Sequence, residues 1–128
     1  MQELGRFVVL VKAYEEALDF YCAKLGFEKF VDIDAGARRF VHLRLPTQAG
    51  FGIWLVQAET EADLAAIGRQ AGSQPIAVIY TSDCAGDVAR LAANGVTLTR
   101  ALSQEAGAKV AHFADLYGNE FVLVELDA

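Results

Sequence analysis

The sequence predicts an α+β fold made of two copies of one β-α-β-β-β unit. Three observations carry that prediction. The run Gly50-Phe51-Gly52-Ile53-Trp54-Leu55-Val56-Gln57 passes from a glycine turn through an apolar strand to a polar residue, and Gly118 to Glu125 does so at the same spacing. Leu25-Gly26-Phe27 ends a helical pattern as Asn94-Gly95-Val96 ends another. Gly36 is followed by Arg38, Arg39 and His42, and Gly107 by Lys109 and His112. At roughly 60 residues, the period is longer than that of ordinary solenoid repeats and suits paired modules.

Taken in order, Arg6 to Lys12 is a continuous apolar run, expected to be a strand covered on both faces. Tyr14, Ala17, Leu18, Tyr21, Cys22 and Leu25 then fall on one face of a helix, with Glu15, Glu16, Asp19 and Lys24 opposite. Glu15 and Glu16 suit its first turn, and Gly26 its left-handed stop. Phe27 to Ile33, Arg39 to Leu45 and Phe51 to Gln57 read as strands. Thr60 to Gln70 reads as a short connecting helix capped by Thr60, ended by Gly72-Ser73-Gln74-Pro75. In the second unit Ile76 to Thr81 is a strand, and Ser82 or Asp83 caps a helix with Val88, Leu91 and Ala92 inward. Val96 to Arg100, Lys109 to Phe113 and Glu120 to Leu126 complete it. Asp115 to Asn119 supplies turn chemistry, since Gly118 and Asn119 both tolerate positive φ.

The 128 residues suit one compact domain, expected as module one at 5–58, a connector at 59–74 and module two at 75–127. A hydrophobic share of 54% supports a globular chain that buries about two-thirds of its unfolded surface. No apolar run nears the ~20 residues of a membrane span, and no secretion signal opens the chain. The expectation is a cytoplasmic protein with no membrane partner. The net charge of −6 opposes nucleic-acid binding and weakly favours a cationic ligand over an anionic one. Cys22 and Cys84 are expected as free thiols, packed or partly exposed, with a catalytic thiol as the rival reading.

Two stretches resemble the vicinal oxygen chelate superfamily, which includes glyoxalase I, bleomycin- and fosfomycin-resistance proteins and extradiol dioxygenases. Ala17-Leu18-Asp19-Phe20-Tyr21 followed by Leu25-Gly26-Phe27-Glu28 is similar to that family's first helix and turn. Asp115-Leu116-Tyr117-Gly118-Asn119 leading into Phe121-Val122-Leu123-Val124-Glu125 is similar to its final hairpin, with Leu116 where Pro is common and Tyr117 where an acidic residue is common. The resemblance covers nearly the whole chain. It implies two β-α-β-β-β modules forming a U-shaped, curled mixed sheet around a cleft, with helices outside. It also implies a homodimer and a place to look for a metal.

Metal-using members take four His or Glu ligands from the first and last strands of each module. Carried over, those positions fall on Arg6, Trp54, Ile76 and Val122. A guanidinium has no acceptor, and an indole and two aliphatic groups offer no usable lone pair. A slip of one residue brings Phe7, Ile53, Leu55, Pro75 or Leu123, none better, and turns side chains to the other sheet face. Glu125 has the wrong parity, and Glu120 has no partner visible in the sequence. The expectation is therefore no metal and no cofactor. Glyoxalase I chemistry, thiol transfer to fosfomycin and ring-cleaving dioxygenation each need the ion.

The remaining candidates are Arg6, Trp54, Val122, Glu120, Tyr80, His42 and His112. Trp54 beside Gly52, with Arg6 on another strand, suits a flat or anionic group; alternatively Trp54 fills the cavity and Arg6 lies at its rim. His42 and His112 occupy equivalent strands, either as one duplicated residue or as acid–base or metal groups. Arg38 and Arg39 read as a solvated turn, or as an anion clamp at the cleft mouth. Tyr80 and Tyr117 supply phenols, more simply packed at the core or rim. The sequence favours a metal-free protein that sequesters or carries a small organic molecule. The alternatives are a lyase, isomerase or dioxygenase of the same superfamily with a non-standard site, and a structural or regulatory dimeric module.

Overall fold

The computed structural model describes all 128 residues. They divide into two compact units, Met1–Ile67 and Gly68–Ala128. The first unit runs β1 (Arg6–Val11), α1 (Tyr14–Leu18), β2 (Glu28–Asp34), β3 (Arg39–Arg44), β4 (Gly52–Gln57) and α2 (Glu61–Ala66). The second runs β5 (Ala77–Tyr80), α3 (Cys84–Ala93), β6 (Leu98–Glu105), β7 (Ala108–Ala114) and β8 (Glu120–Leu126). Each unit therefore repeats β-α-β-β-β around one four-stranded mixed sheet, ordered β1-β4-β3-β2 and β5-β8-β7-β6. The first and last strands of each unit pair in parallel, the others antiparallel. No helix is long and apolar enough to cross a membrane.

Alternation along the strands decides which face meets the helix. In β1, Val9 and Val11 are fully buried while Val8 is 36% exposed, so this strand is covered on one face rather than two. Val41, Leu43, Ile53 and Leu55 bury the same face of the first sheet. Arg6, Val8, His42 and Trp54 fall on the opposite, open face, because Val8 pairs with Trp54 and Trp54 with His42. In the second sheet Phe113 and Phe121 are register partners whose rings stack at 5.2 Å. Burying each such side chain stabilises the fold by about 1.5–3 kcal/mol.

The first helix departs from the sequence reading. After Leu18 it widens into a π-helical stretch, Asp19–Lys24, in which the Leu25 N–H donates to the Phe20 carbonyl. The extra residue per turn rotates the buried face. Ala17, Phe20, Tyr21 and Leu25 are buried, whereas Leu18 and Cys22, expected inward, are only half-buried. Gly26 and Gly95 then take φ of +85° and +79°, the left-handed stops expected of them.

Other boundaries move for local reasons. The connector helix ends at Ala66, not Gln70, because Gly68 turns left-handed at φ +74°. Thr60 caps it as expected, accepting from the Asp63 N–H at 3.1 Å. Asp83 caps α3, accepting from the Gly86 N–H at 3.0 Å, and Cys84 and Leu91 face inward while Ala92 is exposed. Strand β6 begins at Leu98 and runs to Glu105, well past Arg100. Its end, Ser103-Gln104-Glu105, gives no apolar signal, and the pairing with β7 carries it on. In the β7–β8 turn the Asp115 carboxylate accepts from the Tyr117 N–H, the Asn119 N–H and the Asn119 side-chain amide, each at 2.9 Å. Only Gly118 adopts positive φ there; Asn119 does not.

Candidate functional site

The open face of the first sheet carries a row of rings. Phe40 stacks on Trp54 at 6.4 Å, Trp54 lies 6.0 Å from His42, and His42 meets Phe30 edge-on at 6.1 Å. These spacings are ordinary aromatic packing distances. Guanidinium groups close the row: Arg6 and Arg44 lie over the Phe30 ring at 4.5 and 4.4 Å, and Arg38 over Phe40 at 5.5 Å. Trp54 is half-buried and lines a cleft of about 610 Å³ together with Tyr14, Arg38, Val56, Gln57 and Glu59. It forms a wall of the cleft rather than a plug.

Arg6 and His42 are joined directly. Arg6 Nε donates to His42 Nδ1 at 3.2 Å, and Arg6 Nη1 donates to the Gly5 carbonyl at 2.6 Å. Burial, and then the adjacent Arg6 charge, hold the His42 pKa below its ordinary value. Arg44 is paired with Glu28 at 2.8 Å. Arg39, read from the sequence as a solvated turn, is instead anchored to Asp32 at 2.8 Å and to Glu15 at 2.9 Å. Hydrogen bonds from Arg39 and Lys29 hold the Asp32 carboxyl well below the usual range.

The second unit places its candidates differently. His112 pairs with Val122 as His42 pairs with Trp54, so the two histidines are structurally equivalent. Glu120 is not partnerless, as the sequence suggested. Its Oε1 lies 3.0 Å from His112 Nδ1 and its Oε2 accepts from Thr99 Oγ1 at 2.8 Å. Those two contacts lower its pKa, with His112 the larger cause. Tyr80 is 70% exposed on the edge strand β5. Glu125 turns to the other face, where it accepts from the Cys84 N–H at 2.8 Å. Both thiols are free, and burial pushes both upward in pKa, which argues against an activated nucleophile.

The structure thus brings Arg6, His42 and Trp54 together on one sheet face, and His112, Glu120 and Val122 on another. Sequence reasoning missed Phe30, Phe40 and Arg44. Phe40 stands two residues before His42 and could have been found by alternation. Phe30 could not: the β2–β3 register shifts between Lys29 and Val31, and a bulge of one residue defeats a count of two.

A family model for the glyoxalase/bleomycin resistance protein/dioxygenase superfamily matches residues 3–123. The chain belongs to this superfamily. A protein of Shewanella frigidimarina (strain NCIMB 400), itself described as uncharacterised, is 30% identical over 98% of this chain and 95% of its own length. Among solved structures, UcmS2 superposes with a TM-score of 0.86 at 23% identity, covering 97% of this chain and 98% of the other. TnmS3, described as an antibiotic binding protein from Streptomyces sp. CB03234, gives a TM-score of 0.81 at 25% identity, covering 99% and 98%.

The glyoxalase-type metal position can be tested against the donors present. Arg6 lies beside Gly52 and Val8 beside Trp54, while Val78, rather than Ile76, lies beside Val122. Neither register supplies a ligand, and no three His, Cys, Asp or Glu side chains gather in a metal-holding group. These residues do not fit the superfamily's ion.

Proposed function

We propose that this chain binds a small organic molecule against Trp54 without a metal ion, to sequester or carry it. The observation that carries the reading is that Trp54 walls an open cleft of about 610 Å³ instead of filling it. That size suits a small ligand held by an aromatic wall and a few polar anchors. The unsuited donors at Arg6, Trp54, Ile76 and Val122 support the metal-free part. The description of TnmS3 as an antibiotic binding protein supports the class of ligand. The proposed setting is cytoplasmic. The proposed assembly is a homodimer, which the exposed Val78 and Tyr80 on β5 support.

A thermal-shift screen of planar organic compounds tests the binding. A true ligand at a hundred times its dissociation constant adds about 2.7 kcal/mol of stability. Metal analysis of the purified protein tests the other half. Stoichiometric metal that disappears in His42→Ala and His112→Ala would overturn the metal-free reading. One observation favours a catalytic alternative, the His112–Glu120 hydrogen bond, which has the form of an oriented acid–base pair. Turnover of a bound compound that is lost in Glu120→Gln would establish it.

A further inference from the structure

We infer that the first unit selects a planar acid, an aromatic carboxylate or phenolate, whose anionic oxygen sits on Arg6 and His42 while its ring system lies toward Trp54. The inference rests on the binding reading above and adds the charge and orientation of the ligand.

The polarity of the site follows from which atoms are already used. A guanidinium can only donate, so His42 Nδ1, which receives Arg6 Nε at 3.2 Å, must be the acceptor nitrogen. The ring proton of neutral His42 then sits on Nε2, and no protein group accepts it. The one buried side-chain polar atom without a partner is Asn119 Oδ1, so His42 Nε2 reaches solvent. Arg6 is likewise incompletely used, with N–H groups left beyond those bonded to His42 and the Gly5 carbonyl. The Trp54 indole adds another donor.

The remaining charges set the direction. Among the four arginines of the first unit, Arg39 and Arg44 are bound to carboxylates, while Arg6 and Arg38 are not. At the cleft end, Arg38 and Arg39 share the lining with Asp34, Glu59 and Asp63. An anion there meets carboxylates. At the Arg6 end no carboxylate is paired with Arg6, and Glu28 is held by Arg44 at 2.8 Å. An acid therefore gains most with its oxygen at Arg6 and His42 and its flat body along the ring row. The net charge of −6 acts over the whole surface and is screened within about 8–10 Å, whereas these donors act at contact.

Three naphthalene probes test this by isothermal titration: 2-naphthoate, 2-naphthalenemethanol and 2-naphthylmethylammonium. The naphthoate is expected to bind at least about tenfold more tightly than the ammonium. Arg6→Gln is expected to remove that preference, and Arg6→Lys to keep part of it. Circular dichroism establishes that both variants are folded. An ammonium bound as tightly as the naphthoate, or a preference that survives Arg6→Gln, overturns the acid assignment while leaving ligand binding standing. Failure of all three probes to bind counts against the binding reading itself, and the acid assignment falls with it.

Discussion

His112 Nδ1 lies 3.0 Å from Glu120 Oε1, whereas the equivalent His42 accepts a hydrogen bond from a guanidinium. The two units share the histidine and carry opposite charges beside it. The His112 contact, and then the Thr99 hydroxyl, hold the Glu120 pKa below its ordinary 4.5. A depressed carboxylate stabilises the folded state above its unfolded pKa, and that contribution disappears as pH falls through the lower, folded value. The wild type should therefore exceed Glu120→Gln in stability at neutral pH. The gap should narrow once the pH passes below about 4.5. Urea melts between pH 3 and 7 read the difference; two parallel curves would refute it.

His42 predicts a slope in a different window. Burial, and then Arg6, place its folded pKa below the ordinary 6.5, so the unfolded chain binds more protons as the pH drops past that value. Stability should decline with acidification below about 6.5 and show no His42 contribution above it. The groups around the ring are Arg6, Trp54 and Phe30, none of them acidic. In His42→Gln this part of the slope should be missing. An NMR titration should give wild-type His42 a midpoint below 6.5 that rises in Arg6→Gln.

The π-helical stretch makes a prediction that a regular helix would reverse. Phe20 is 9% exposed and packs against Tyr21 at 5.8 Å, while Cys22 is only half-buried. Phe20→Ala should cost about 3–5 kcal/mol and Cys22→Ala under about 1 kcal/mol. Chemical denaturation measures both, and comparable losses would place Cys22 back on the buried face.

How far the sequence could be read depends on whether a feature has a period. The equivalent strands β4 and β8 were visible because a glycine turn followed by an apolar run repeats at one spacing. The helix stops at Gly26 and Gly95 were visible because one residue type suits that backbone best. The π-helical turn and the Phe30 bulge each insert one residue, and an inserted residue has no period to detect. The His112–Glu120 contact was hidden for another reason. Ala114 is the register partner of Glu120 and Val122 that of His112, so the pair meets diagonally across strands whose register only the fold provides.

Gly68 and Gly72 separate two penalties that often occur together. Both have positive φ, +74° and +67°. A Cβ on Gly68 would overlap the Tyr117 carbonyl oxygen, while one on Gly72 would meet nothing within 4 Å. Gly72→Ala should lose only the backbone preference, about 1 kcal/mol. Gly68→Ala should lose clearly more, because backbone on both sides must shift. Melting temperatures of the two variants decide it, and equal losses would mean that the Tyr117 contact is easily relaxed.

Trp54 decides between the two roles its sequence position allows. A cavity-filling tryptophan removed to alanine costs about 3–5 kcal/mol, since its packed neighbours cannot close the void. Trp54 is half-buried, and its ring neighbours Phe40 and His42 lie on the same open face. Its removal takes away the wall of the cleft more than the support of the core, which lies across the sheet in Val9, Leu43, Ile53 and Leu55. Trp54→Ala should therefore cost less than about 2 kcal/mol of stability while weakening any planar ligand by roughly tenfold, and Trp54→Phe should recover part of the affinity. A loss of stability in the cavity range would assign Trp54 to structure and leave the cleft without its binding wall.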